Sequence, residues 1–159
     1  MLADEMMKIH EEDQFDLMPL GIAIEDNMRV SLCCHTLENA NKLYPDIKGC
    51  IIHSDRGSQY TSEEYQAAVK KYGIIQSMNS VGGRCHDNAR CESMCARMKE
   101  ELFYSREDKP ENYTMKELKT MIWRYYMSYW TNRRICTANG GLPPAARRKL
   151  YYDHIFLVA

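Results

Sequence analysis

The apolar run Gly49-Cys50-Ile51-Ile52 passes directly into the polar word His53-Ser54-Asp55-Arg56-Gly57-Ser58-Gln59-Tyr60, and a second polar word, Asp87-Asn88-Ala89-Arg90-Cys91-Glu92, opens a long helical pattern. The first run has the length and the bounding glycine of a short buried strand. Asp55 is therefore expected where a strand ends and a loop begins, and Glu92 in the first turns of a helix. Thirty-six residues lie between them. A strand-end Asp converging with a helix Glu is what a divalent-cation phosphoryl-transfer site needs, because hard cations such as Mg²⁺ prefer carboxylate oxygens. Taken singly, each residue has a plainer role: an Asp before Arg-Gly makes an Asx turn, and a Glu near a helix N-terminus complements the helix dipole.

The flanking sequence extends a strand–helix alternation. Residues 17–24 read as a strand weakened by Pro19 and Gly21, hence an edge strand. Asp26-Asn27 are helix-start signals for a helix at about 28–43, with Val30, Cys33, Cys34, Leu37 and Ala40 as its apolar stripe and Pro45 beyond its end. The strand at 49–54 is followed by a loop, a helix at about 62–72 and a strand at 74–78. Gly82-Gly83 marks a loop before the helix at 87–103, which Asp87 would cap. There Cys91, Cys95, Met98 and Leu102 form the expected core stripe. A second long helix spans about 114–133 with Leu118, Met121, Ile122, Tyr125 and Tyr129 facing the core, and Pro143 starts a short final helix. This order argues an α/β layer fold.

Length and composition set the class. A chain of 159 residues with 45% hydrophobic and 27% charged residues suits one soluble domain. No apolar run reaches the length of a membrane span, and the acidic start is not a secretory signal, so a cytoplasmic protein is expected. Seven cysteines suit reduced thiols rather than a disulfide framework. Cys85, His86, Cys91 and Cys95 lack a paired Cys-x-x-Cys, which argues against zinc. The net charge of −1 hides a polarity: residues 1–78 carry 7 Lys and Arg against 13 Asp and Glu, whereas residues 79–159 carry 14 against 9. The basic half, with Arg84, Arg90, Arg97, Lys99, Arg133, Arg134 and Arg147-Arg148-Lys149, suits a surface that meets phosphates.

The words at 53–62, 72–78 and 87–93, with Tyr129-Trp130, Asn132-Arg133-Arg134-Ile135 and Gly140-Gly141-Leu142-Pro143-Pro144, resemble bacterial insertion-sequence transposases. The group is the one made as an OrfA–OrfB frameshift fusion, within the retroviral-integrase superfamily. The likeness covers about residues 15–150. It implies an RNase H-like fold, a mixed five-stranded sheet flanked by helices, with a helical C-terminal extension. It also implies DNA cleavage and joining by an Asp-Asp-Glu set holding two Mg²⁺ (or Mn²⁺) ions. Asp55 matches the second Asp and Glu92 the Glu, with one residue more between them than the family's usual interval; the loop near Val81-Gly82-Gly83 would absorb it. The two are expected close enough to share a cation. Lys99, two helical turns from Glu92 on one face, matches a Lys that touches the DNA end. Arg84, Arg133 and Arg134 complete the expected DNA-binding set.

The family's first catalytic Asp lies in an Asp-x-Thr word, and no such word occurs before Asp55. Asp13-Gln14-Phe15-Asp16 matches instead a word at the end of the family's second strand. The first strand should then lie before residue 1, and residues 1–12, interrupted by Glu5, Lys8, His10, Glu11 and Glu12, do not read as an apolar second strand. The expected layout is a divergent acidic segment at 1–14, a partial and N-terminally truncated catalytic core at 15–105, and the helical C-terminal part at 106–159. Two functions stand. One is a DNA transposase/integrase core with impaired activity, acting on transposon ends and target DNA. The other is a catalytically inert fragment that binds nucleic acid, itself or a full-length transposase.

Overall fold

The computed structural model describes residues 9–27, 29–78, 89–106 and 108–158, and the chain divides into two compact units. The first comprises residues 9–11 and Leu20–Tyr113, the second Glu12–Pro19 with the chain from Thr114 onward. No described helix is long and apolar enough to cross a membrane.

Strands β1 (Ile9–Glu12) and β2 (Pro19–Ala23) pair in one two-stranded sheet, and β3 (Ile51–Ser54) and β4 (Ile75–Met78) in another. Among the described residues no strand joins the two pairs. Residues 9–12 pair as a strand although their charged letters do not read as an apolar one. Sheet pairing satisfies backbone amides and carbonyls whatever the side chains are, so a charged stretch beside a partner strand becomes one.

Helix α1 (Val30–Leu43) lies against β2. Gly21 is the contact point: a Cβ there would stand 2.5 Å from the Thr36 carbonyl oxygen and 2.8 Å from the Ala40 Cβ. Glycine is thus required by close approach of helix and strand. Gly21→Ala is expected to cost at least the roughly 1–3 kcal/mol of an overpacked core site, read as a lower denaturant midpoint; an unchanged midpoint would contradict this packing. The α1 stripe is broader than its apolar letters suggest. Cys33, Leu37 and Ala40 are buried as expected, but so are Leu32 and Thr36, while Val30 and Cys34 are only partly covered. Thr36 is tolerated because its hydroxyl donates to the Leu32 carbonyl at 2.9 Å. Asp26-Asn27 do not cap α1; Arg29 occupies that position without a side-chain bond.

From β3 the chain runs through the short helix α2 (Ser58–Thr61) and helix α3 (Glu63–Lys71) back to β4. Ser62 caps α3, accepting from the Tyr65 amide at 3.2 Å. Gly73, at φ 68°, turns the chain out of α3 so that β4 runs parallel to β3, with Ile51 opposite Ile75 and Ser54 opposite Met78. Tyr65 and Val69 pack with Leu32, Cys33, Leu37 and Ile52 to make the core of this unit. β3 is not the fully buried strand its sequence implied. Ile52 and Ser54 face inward, but Ile51 is 69% and Ile75 56% exposed. Alternation on a sheet covered on one face explains it.

Helix α4 (Ala89–Leu102) buries Met94 and Met98, and Phe103 follows at its end. Its core stripe therefore runs through Met94 and Met98, with Cys95 and Leu102 at its borders. The side chain of Cys91 and the whole of Val81-Gly82-Gly83, Arg84, Cys85, His86 and Asp87 lie outside the described residues.

In the second unit, α5 (Met115–Arg124) starts at a capping box: the Thr114 hydroxyl accepts from the Glu117 amide while the Glu117 carboxylate accepts from the Thr114 amide. The Thr114 hydroxyl, which also donates to the Glu117 carboxylate at 2.7 Å, and then the Thr114 amide hold the Glu117 carboxyl below its ordinary range. A depressed folded-state value means the contribution is present above the unfolded value and lost as pH falls through the folded one. Protection of the first-turn amides of α5 against exchange, relative to their intrinsic rates, should therefore fall on acidification through and below the carboxylate range, and Glu117→Gln should flatten that dependence.

α5 continues into a π-helical stretch, Tyr125–Trp130. The apolar stripe Leu118, Ile122, Tyr125 was expected to reach Tyr129, but Trp130 and Tyr126 are buried and Tyr129 is exposed. The wider π turn bonds i to i+5 and advances the inward face by one residue. The final helix, α6 (Pro144–Val158), is fifteen residues long rather than short. Cys34, Cys50 and Cys136 are free thiols.

Candidate active site

β3 delivers its polar word to the end of the sheet. His53 Nδ1 lies 3.1 Å from Ser77 Oγ across the parallel register, and Gln76 Nε2 donates to the Tyr60 carbonyl at 2.8 Å. β4 therefore holds both ends of the loop between residues 53 and 60. The Tyr60 ring meets the buried Tyr65 ring edge-on at 5.3 Å, anchoring the loop in the core. Gln76 and Ser77 were not singled out as site residues, yet the constant offset of the two parallel strands pairs them with this word.

Asp55 is the first residue past β3 and is exposed. Its Oδ1 accepts from the Gly57 amide at 2.8 Å, an Asx turn, and its Oδ2 receives no hydrogen bond from a described residue. One oxygen of this aspartate makes the Asx turn and fixes the carboxylate; the other is presented to solvent. Gly57 belongs to the device, since a Cβ there would come within 2.9 Å of Asp55 Oδ1.

Glu92 sits in the first turns of α4 and is exposed; Lys99, half-buried, follows two turns later. Met94 and Met98, on the opposite side of α4, seat that helix in the core, which leaves the Glu92–Lys99 face outward. Asp55 and Glu92 belong to the same compact unit. Among the described residues no group of three or more His, Cys, Asp or Glu side chains is placed to hold a metal ion. Asp13 and Asp16 are engaged elsewhere: Arg148 Nη2 donates to Asp13 Oδ2 at 2.8 Å and to Asp16 Oδ1 at 2.9 Å, and Arg148 Nε to Asp16 Oδ2 at 2.5 Å.

The other basic candidates differ in character. Arg133 is exposed. Arg134 stacks its guanidinium 4.6 Å from the Trp130 ring centre and donates to the Ile135 carbonyl at 3.3 Å, so it has a packing role in the second unit. Arg84 is outside the described residues.

The model of the integrase core domain matches residues 12–84. The transposase of insertion sequence element IS629 from Shigella sonnei is 36% identical over 107 residues, 67% of this chain and 34% of the relative. The InsK protein of insertion sequence element IS150 from Escherichia coli K12 is 31% identical over 140 residues, 88% of this chain and 47% of the relative. The transposase InsF of insertion sequence IS3A from the same strain is 30% identical over 126 residues, 79% and 42%. This chain spans between about a third and a half of the length of these relatives. A chain in the structure of the simian T-cell lymphotropic virus intasome superposes with a TM-score of 0.52 over 72% of this chain and 38% of its own length, at 16% identity. At that identity the likeness concerns the fold, which is α/β and RNase H-like.

Proposed function

The chain is a homologue of insertion-sequence transposases with an integrase core over residues 12–84, and from that premise we propose that it supplies part of the catalytic core for DNA integration and recombination. The observation that carries this reading is Asp55, fixed at a strand end through one carboxylate oxygen and open at the other. Glu92 of α4 is the second carboxylate, and the two would share a divalent ion.

The residues present fit one hard cation in part. Asp55 Oδ2 and the exposed Glu92 carboxylate are oxygen donors of the kind Mg²⁺ and Mn²⁺ take, with water filling the remaining positions. When bound, such an ion activates a hydroxyl nucleophile or stabilises a leaving oxygen at phosphorus. What this chain's residues do is hold Asp55 in place through Gly57, tie the loop to β4 through Gln76 and Ser77, and present the Glu92–Lys99 face of α4 outward. Lys99 would meet a DNA phosphate as a point charge, with Arg84 and Arg133 adding to the same electrostatic attraction.

The test is paramagnetic line broadening by Mn²⁺ on the isotopically labelled chain. Amides around Asp55 and Glu92 are expected to broaden first, and Asp55→Asn or Glu92→Gln to remove the effect at both sites together. Broadening that spares Asp55, or that survives either substitution, rejects the shared site.

DNA binding should be tolerant of sequence and steeply dependent on salt, since phosphate contacts release counterions. Lys99→Ala and Arg133→Ala are each expected to lower the log–log salt slope by about one, measured by fluorescence anisotropy between low and moderate salt. A slope unchanged in both variants would remove these residues from the DNA face.

A further inference from the structure

The second unit displays aromatic rings that its own architecture does not need. Residues 13–18 form a tight loop in which Phe15 N donates to Asp13 Oδ1 at 2.9 Å, Leu17 N to the Asp13 carbonyl at 2.7 Å, and Asp13 N to the Met18 carbonyl at 2.9 Å. Arg148 of α6 clasps both carboxylates of this loop, and Asn139 Nδ2 donates to the Asp16 carbonyl at 2.7 Å. All of these bonds are made by the backbone or by Asp13 and Asp16; none uses the side chain at position 15.

Phe15 nevertheless projects outward, 48% exposed, with its ring 4.9 Å from that of Tyr151, which lies 5.7 Å from that of Tyr152. Tyr151 and Tyr152 are 47% and 53% exposed. The three rings make a continuous ledge across the loop and one turn of α6. Arg147, one turn before Tyr151, holds its guanidinium 5.0 Å over the Phe15 ring, and Lys149, three residues before Tyr152 on the same helix, is exposed. Neither cation makes an ion pair with a described carboxylate, whereas the nearby acid Asp13 is committed to Arg148. Asp153 is exposed further along α6. Contiguous exposed rings mark a surface that another molecule covers, and rings interleaved with unpaired cations fit one chemistry well: nucleobases stack on the π faces while the phosphates between them meet the cations. An apolar peptide would leave Arg147 and Lys149 desolvated and unpaired.

The geometry points to a subsite for single-stranded DNA on the Phe15–Tyr151–Tyr152 ledge, with Arg147 and Lys149 as its phosphate contacts. It extends the DNA-processing reading above, on which its biological source of unpaired strand rests, to residues outside the Asp55–Glu92 pair. Duplex DNA, whose bases are already stacked on one another, offers the rings nothing comparable.

The experiment is fluorescence anisotropy on the intact chain with a labelled single-stranded oligonucleotide and the blunt duplex of the same sequence. Tyr151→Ala and Tyr152→Ala should each weaken single-strand binding about 5–100-fold while leaving duplex affinity within twofold, and Tyr151→Phe should bind as the parent does. Circular dichroism and thermal midpoint confirm folding. Should Tyr151→Ala unfold, photo-crosslinking of the parent chain to a bromodeoxyuridine strand replaces it, with adducts expected at Phe15, Tyr151 or Tyr152. Equal weakening for single strand and duplex, unchanged single-strand binding in folded variants, or adducts only elsewhere overturns the subsite. So does sedimentation showing a dimer that Tyr151→Ala dissolves, since a second copy would then cover the ledge. Duplex binding without single-strand binding sinks the subsite alone; absence of both sinks the DNA-processing reading with it.

Discussion

Replacing Arg148 with methionine is expected to destabilise the second unit by about 3–5 kcal/mol, the cost of removing one partner from a buried ion pair. Asp16 is 1% exposed and Arg148 binds both of its carboxylate oxygens. Methionine preserves much of the stem's packing, so the loss falls on the stranded carboxylate, which keeps only the Met18 amide at 3.0 Å as a donor. Domains have total stabilities of about 5–15 kcal/mol, so a loss of this size approaches unfolding. Urea denaturation followed by tryptophan fluorescence reports it, because Trp130 Nε1 donates to the Leu17 carbonyl of the same loop at 3.0 Å. The double variant Asp16→Asn/Arg148→Met should recover part of the loss, since it removes the buried charge along with its partner. A midpoint unmoved by Arg148→Met would show that solvent compensates Asp16 and that the clasp carries little energy.

The second large effect concerns chemistry. The purified chain, given Mg²⁺ or Mn²⁺ and the terminal repeats of a related element, is expected to join no DNA above background. In-line displacement with two metals depends on carboxylates that hold and bridge both ions, and among the described residues no group of three such side chains is placed to hold a metal ion. Asp13 and Asp16 are not candidates in this structure, because Arg148 satisfies them within the other unit. Joining abolished by Asp55→Asn would mean that the chain assembles its third carboxylate in a conformation that releases one of those aspartates. Such activity would also have to fall in an Arg148-retaining Asp13→Asn or Asp16→Asn variant.

Much of this protein is legible in its letters because the relevant physics is local. The word from His53 to Tyr60 announces a strand end and an Asx turn, and the structure has both, since strand, turn and the Gly57 requirement all act within a few residues. The helix–strand–helix order follows in the same way. Side-chain periodicity located α1 and α5 because a helix repeats its face every 3.6 residues.

Only tertiary contacts decided the rest. A strand at 9–12 depends on β2 as a partner, which no property of its own charged residues reveals. Gly21 looks like a weak strand residue until α1 is placed against it. Trp130, not Tyr129, faces inward because the helix widens into a π turn there, and a strict 3.6 period runs past that change. Asp13 and Asp16, which by resemblance match a word at the end of a strand, are ion-paired to a residue 132 positions and more away. Periodicity and turn chemistry are encoded by neighbours in the chain; which carboxylate is free to hold a cation is set by whichever distant cation the fold brings to it.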